Sequence, residues 1–128
     1  MKKKNIIRLL TFLSLFGLLV YFLNVTVIGY FLKRNYFYSN HNGAFFYSED
    51  KLKGKSYEGR DRVFGSYLKN HPDTKDKQLY RRFRMDLWRF WEWGELWYHP
   101  DRYDLPYISE KEINENRKRE GLPPLKFD

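Results

Sequence analysis

The sequence contains no cysteine. This absence excludes a disulfide framework, a thiolate metal site and a cysteine nucleophile. It also excludes an anchor made by lipid modification of a cysteine. Residues 35–128 are enough for one small domain and too few for two.

Acidic residues are missing from the beginning of the chain. All 16 of them lie beyond residue 34, whereas six of the 24 basic residues lie at or before it. The formal net charge of +8 therefore leaves 18 basic and 16 acidic residues in 35–128. The basic excess is mostly a membrane-topology signal rather than a phosphate-binding surface, and no nucleic-acid partner is expected.

Charge of either sign is also missing from a long run after the basic tail, residues 1–8. The 24 residues of this run, 9–32, lie between Arg8 and Lys33. As a helix they reach about 36 Å, enough to cross a hydrocarbon core of about 30 Å. The run predicts a transmembrane helix over 9–32. Within it, Asn24 would prefer either a partner helix or the headgroup region near the helix end.

The hydrophobic run favours an uncleaved signal-anchor over a cleaved signal peptide. Its apolar core is longer than a signal peptide needs, and residues 27–32 are mostly bulky where a cleavage site requires small side chains. A secreted small domain, released by cleavage, is the weaker alternative. The basic bias favours a cytoplasmic N-terminus, which predicts a single-pass cell-membrane protein with residues 35–128 on the outer side.

Aromatic residues are abundant, at 20% of the chain, and they begin directly after the run. Residues 33–59 are predicted to form a juxtamembrane aromatic collar and linker. Tyr36 to Tyr38 fit a belt at headgroup level. Phe45 to Tyr47 fit either such a belt or core packing, the latter as a short strand or as side chains docked onto the domain. Residues 40–43, between the two clusters, carry a turn signal.

Residues 60–128 are predicted to form a small helical domain with an extended C-terminal tail. Helical spacing indicates one helix over 60–69 and a central helix over about 75–98. The buried stripe of that central helix is predicted to comprise four residues: Leu79, Phe83, Leu87 and Phe90.

The end of the domain carries clearer local signals. Residues 101–108 show no period and are expected to run extended. Ser109 and Glu112 form a capping box for a short helix, which Gly121 ends. The predicted fold class is mainly α: one N-terminal transmembrane helix, then a small aromatic-rich helical domain with irregular connections.

The four tryptophans all lie between positions 88 and 97. One helix face cannot bury them all, so at least one further face must be aromatic. Arg84 precedes Trp88 by four residues, the spacing of a cation–π pair on a helix. The candidate interaction surface comprises six residues: Tyr80, Arg84, Trp88, Trp91, Trp93 and Trp97.

Motifs for chemistry are missing. The three histidines have no helical ligand spacing, so no metal is expected. Glu92 and Glu95 are paired carboxylates, but nearby arginines favour a structural role for them. No glycine-rich phosphate loop or nucleophile elbow is present. The sequence predicts no enzyme, no cofactor and no small-molecule substrate.

Two functional hypotheses follow from these patterns. The first is a non-catalytic accessory or interaction subunit of a membrane complex, because exposed Trp, Tyr and Arg dominate protein interfaces. The alternative is a peripheral membrane-surface module with a Trp/Arg-rich interfacial helix. Expected partners are therefore membrane lipid and a protein. A third possibility is that all the aromatic side chains build one core.

Overall fold

The computed structural model describes residues 2–50 and 56–127. The chain is mainly helical, with 53% of residues in helices, and it has one long apolar N-terminal helix and a small sheet. The fold class is therefore confirmed in its coarse form. The chain divides into two compact units, one of residues 1–34 and 86–100, the other of residues 35–85 and 101–128. The predicted domain boundaries at residues 8, 32 and 59 stay predictions.

The smaller unit begins with helix α1, Lys3–Val25. Within the described residues it is the one helix long and apolar enough to cross a membrane. An 18-residue window of it has a mean hydropathy of 2.2, and none of its residues is buried. A signal sequence would have the same properties. Thr26 adopts an extended conformation and ends α1, and helix α2, Val27–Leu32, follows it. The predicted single helix over 9–32 is therefore broken.

The break depends on Gly29. A Cβ atom at this position would lie within bonding distance of the Leu23 carbonyl in the last turn of α1. Only glycine allows α2 to pack this closely against the end of α1.

The rest of the smaller unit is the aromatic segment, defined here as Asp86–Pro100. It contains a single 3₁₀ turn, Phe90–Glu92, and helix α4, Trp93–Tyr98. The predicted helix over 75–98 is wrong. Residues Tyr80–Arg81 pair as a strand instead, and the Asp86 carboxylate accepts a hydrogen bond from the Trp88 N–H at 3.0 Å. Such a local bond competes with helix formation.

The larger unit contains an antiparallel three-stranded sheet of order β2-β1-β3. Its strands are β1, Tyr36–Ser39, β2, Phe46–Glu49, and β3, Tyr80–Arg81. In the central strand, Tyr38 lies opposite Tyr47 on one side and Arg81 on the other. The turn between β1 and β2 contains Gly43 at φ 70°, which favours glycine, so the predicted turn over 40–43 is confirmed.

Three helices complete the larger unit: α3, Gly59–Asn70, α5, Asp101–Asp104, and α6, Glu110–Arg119. Helix α3 and the capping box of α6 are confirmed, and Gly121 follows α6 with a φ of 72°. The expectation of an extended chain over 101–108 is wrong where α5 forms. Part of the predicted linker, residues 51–55, lies outside the described residues.

The core of the larger unit is mostly aromatic. It comprises Tyr36, Tyr38, Phe45, Tyr47, Phe64, Leu79 and Phe83. The interfacial belt predicted for Tyr36 to Tyr38 is therefore wrong for both tyrosines, because strand alternation turns their side chains inward. Of the two alternatives for residues 45–47, core packing is right for Phe45 and Tyr47.

The predicted buried stripe is half right. Leu79 and Phe83 are buried, Phe90 is half-buried, and Leu87 is 61% exposed. The prediction for Leu87 fails because no helix carries the four residues on one face.

Candidate functional site

The six residues of the predicted interaction surface fall in different units. Tyr80 and Arg84 belong to the larger unit, and the four tryptophans belong to the smaller one. The Tyr80 hydroxyl donates to the Asp76 carboxylate at 2.6 Å. This bond and burial raise the pKa of Tyr80 to about 12. The Arg84 guanidinium lies over the Tyr107 ring. The helical spacing on which the predicted stack on Trp88 was based is not formed, because residues 84–88 are not helical.

The four tryptophans are not equivalent. Trp88 and Trp97 are 89% and 85% exposed, and neither packs into a core. The Trp93 indole N–H donates to the Leu87 carbonyl at 2.9 Å. The Arg89 guanidinium lies 5.2 Å from the centre of the Trp91 ring. The aromatic segment thus has two fully presented indoles and two that contact other groups of the same unit.

The side chain of Asn24 fastens the aromatic segment to α1. Its amide nitrogen donates to the Phe90 carbonyl at 2.8 Å and to the Val20 carbonyl of its own helix at 2.8 Å. Its amide oxygen accepts from the Gly94 N–H at 2.6 Å. The polar partner of Asn24 is therefore the backbone of the aromatic segment, whereas the sequence suggests a partner helix or the headgroups.

Gly94 is required for this close approach. A Cβ atom there would lie 2.9 Å from the Asn24 amide oxygen and 3.4 Å from the Asn24 Cβ. A side chain at position 94 would push the Asn24 amide away from the backbone groups that it bonds.

A ring contact joins the segment to α1 two turns earlier. The Phe16 ring meets the Phe90 ring at a centroid distance of 5.4 Å and the Trp93 ring at 6.4 Å. Both pairs have the edge-to-face geometry that aromatic rings prefer. The segment therefore lies along the second half of α1, from Phe16 to Asn24.

Ion pairs join the segment to the residues after α2. The Lys33 ammonium lies 2.8 Å from the Glu95 carboxylate. The Glu92 carboxylate is buried, accepts from the Arg34 backbone N–H at 2.9 Å and lies 3.2 Å from the guanidinium groups of Arg34 and Arg89. Both acidic residues are therefore ion-paired with basic residues of the same unit.

A second polar cluster is buried in the larger unit. The Arg102 guanidinium donates to both oxygens of Glu49, at 2.8 and 3.1 Å, and lies 4.0 Å from the centre of the Tyr36 ring. Tyr38 donates to the same carboxylate at 2.8 Å. Burial, reinforced by Glu49, raises the pKa of Tyr38 well above its usual range. Sequence spacing contains no signal for this cluster, because its members come from β1, β2 and α5.

The described residues, 2–50 and 56–127, contain no group of three or more His, Cys, Asp or Glu side chains able to hold a metal ion. His41 contacts Glu120 at 2.5 Å, and His71 contacts the Tyr67 carbonyl at 2.9 Å.

Comparisons with protein-family models, with curated proteins and with solved structures give no match for this chain.

Proposed function

We propose that the protein is a single-pass membrane protein, held by an uncleaved N-terminal helix, with its N-terminus in the cytoplasm and residues 35–128 on the outer side. The observation that carries the proposal is the fastening of the aromatic segment to α1 through Asn24 and Phe16. Cleavage as a signal peptide would remove Phe16 and Asn24 from these contacts and leave the aromatic segment exposed.

We propose further that the protein is a non-catalytic module that works at the membrane surface through its aromatic segment. Trp88 and Trp97 present their indoles outward from a segment that is bonded to the apolar helix. Tryptophan prefers the boundary between lipid tails and headgroups. The geometry therefore favours lipid as the first partner of this surface.

The second candidate function is that of an accessory subunit of a membrane complex. It is favoured by the exposure of Trp88 and Trp97, because exposed tryptophan is enriched among the residues that dominate protein interfaces. In this case a protein partner covers the two indoles.

The anchor is tested by washing native membranes with alkaline carbonate. The full-length chain, with its N-terminus intact, is expected in the membrane pellet. Recovery of a soluble form that starts near residue 30 would contradict the proposal.

The two candidate functions are separated by crosslinking and pulldown from native membranes. A protein captured by the unchanged chain and lost with Trp88→Ala plus Trp97→Ala supports the accessory subunit. The matched control is Lys111→Ala plus Lys118→Ala, which changes two exposed residues of α6 in the larger unit. If neither pair of substitutions changes what is captured, the membrane-surface function is favoured.

A further inference from the structure

The position of the aromatic segment along α1 sets its depth in a membrane. Its ring and hydrogen-bond contacts on α1 extend from Phe16 to Asn24. The eight steps between them correspond to about 12 Å of helix. If α1 crosses a bilayer, a segment that runs so far along it lies beside the lipid tails and not only at the headgroups.

Several backbone groups of the segment have the hydrogen-bond partners that they need beside lipid tails. Irregular backbone is tolerated at membrane depth only where it is buried in protein or lines a water-filled cavity, because its N–H and carbonyl groups need partners there. Three side chains of the smaller unit supply partners for four of these backbone groups. Asn24 bonds the Phe90 carbonyl and the Gly94 N–H, the Trp93 indole bonds the Leu87 carbonyl, and Asp86 bonds the Trp88 N–H.

Charge in and around the segment is balanced. The segment contains Asp86, Glu92, Glu95 and one basic residue, Arg89, and Lys33 and Arg34 pair with its glutamates. The segment alone therefore carries a formal charge of −2, and Lys33 and Arg34 bring the sum to zero. With no net positive charge, the segment gains nothing from an anionic surface, and burial of aromatic side chains must drive any insertion.

We propose that the aromatic segment is a re-entrant membrane segment. Residues 86–100 enter the leaflet that surrounds the second half of α1, and Trp88 and Trp97 contact the acyl chains of its lipids, whether these lipids are zwitterionic or anionic. This inference rests on the proposed function, since it requires α1 to cross the membrane. It moves residues 86–100 from the predicted extramembrane domain into the membrane-embedded part of the protein.

The four tryptophans are the natural probes for the test, because all of them lie in the segment. The full chain is reconstituted into phosphatidylcholine vesicles whose acyl chains carry bromine, which quenches indole fluorescence on contact. The emission of Trp88 and Trp97 is expected to be lost there, and the aqueous quencher acrylamide is expected to have little effect. Replacing part of the phosphatidylcholine by phosphatidylglycerol should leave both results unchanged.

The attachment to α1 is tested with Asn24→Leu, which removes the hydrogen bonds to Phe90 and Gly94 but keeps an apolar helix. Quenching by brominated lipid should fall and quenching by acrylamide should rise. Gly94→Ala, which disturbs the same contact from the other side, should act in the same direction. The matched control is Thr11→Val, because the Thr11 hydroxyl bonds only the Ile7 carbonyl one turn earlier in α1.

Three results would overturn the inference. Strong acrylamide quenching without lipid quenching would place the segment in water. Resistance to both quenchers, with a stoichiometric co-purified protein, would mean that a partner covers the indoles. Lipid quenching that requires phosphatidylglycerol would mean that charge drives insertion. Failure of the anchor itself is distinguishable, because the chain would then be released from the vesicles by alkaline carbonate.

Discussion

At the scale of single residues, Asn24 has the most consequential side chain in the smaller unit. It is a polar residue inside an apolar helix, and it uses both its donor and its acceptor. Removing one partner of a buried hydrogen bond costs about 1–3 kcal/mol, because the other partner stays unsatisfied. The stabilisation that Asn24 contributes therefore depends on backbone groups some 70 positions away in the sequence.

A substitution at Gly94 tests this contact directly. Gly94→Ala is expected to lower the stability of the smaller unit, because the new methyl group would meet the Asn24 amide oxygen at 2.9 Å. The change should appear as faster proteolysis between residues 86 and 100 in detergent or vesicles.

The control for that substitution is Gly65→Ala in the middle of α3. No atom lies within 4 Å of a Cβ at this position. Alanine favours a helix over glycine by about 0.5–1 kcal/mol, so the control should be neutral or stabilising. Destabilisation of equal size by both substitutions would show that Gly94 has no special contact.

A substitution at Arg102 tests the buried ion pair of the larger unit in the same way. Arg102→Met is expected to lower the free energy of unfolding by about 3–5 kcal/mol, because it leaves the buried Glu49 carboxylate without its cation. Urea unfolding followed by circular dichroism measures the change.

The matched substitution is Lys111→Met. Lys111 pairs with Glu115 at 3.9 Å on the exposed face of α6. Exposed pairs contribute about 0–1 kcal/mol, so this variant should unfold nearly like the unchanged chain. Equal stability of the two variants would mean that the Arg102–Glu49 pair is not buried in solution.

At the scale of elements, the turn after β1 is tied to the end of α6. The Asn42 amide donates to the Glu120 carboxylate at 2.7 Å, and His41 contacts its other oxygen. These bonds, that from Asn42 above all, lower the pKa of Glu120 below its usual value of 4.5. The ionised carboxylate is therefore favoured in the folded chain.

A depressed folded-state pKa predicts a definite pH dependence. The stabilisation by Glu120 is present above pH 4.5 and is lost as the pH falls through the lower folded-state pKa. Glu120→Gln should therefore be less stable than the unchanged chain at neutral pH, and the difference should shrink on acidification below pH 4.5. A difference that grows on acidification, in the same unfolding experiment, would reverse the sign of this interaction.

Local sequence signals predicted some elements well. The capping box of Ser109 and Glu112, the glycine after α6 and the spacing of α3 are determined within a few residues of sequence, and all three are found. The long apolar helix was also predictable from the missing charges.

The remaining elements depend on contacts between distant residues. Tyr80–Arg81 becomes a strand because β1 offers it backbone partners, and the helical spacing of Leu79 and Phe83 is then overridden. The aromatic segment loses its regular helix because Asn24 and Asp86 bond its backbone. The candidate site also depends on distant contacts. Composition located the tryptophans, but it did not locate the residues of α1 that contact the aromatic segment.

At the scale of the whole molecule, the two compact units differ in the surroundings that suit them. The smaller unit, residues 1–34 and 86–100, joins an apolar helix to an aromatic segment whose two glutamates are ion-paired. The larger unit, residues 35–85 and 101–128, has its own aromatic core and a buried ion pair. The central claim is that the membrane holds the smaller unit and water surrounds the larger one.

Single-cysteine labelling measures this division most directly, because the natural chain has no cysteine to replace. Lys118→Cys in the larger unit and Trp97→Cys in the aromatic segment are both exposed positions of the protein. In sealed vesicles with the outer face outward, a membrane-impermeant maleimide is expected to label Lys118→Cys at once and Trp97→Cys only after detergent is added. Equal labelling of both before detergent would contradict the account.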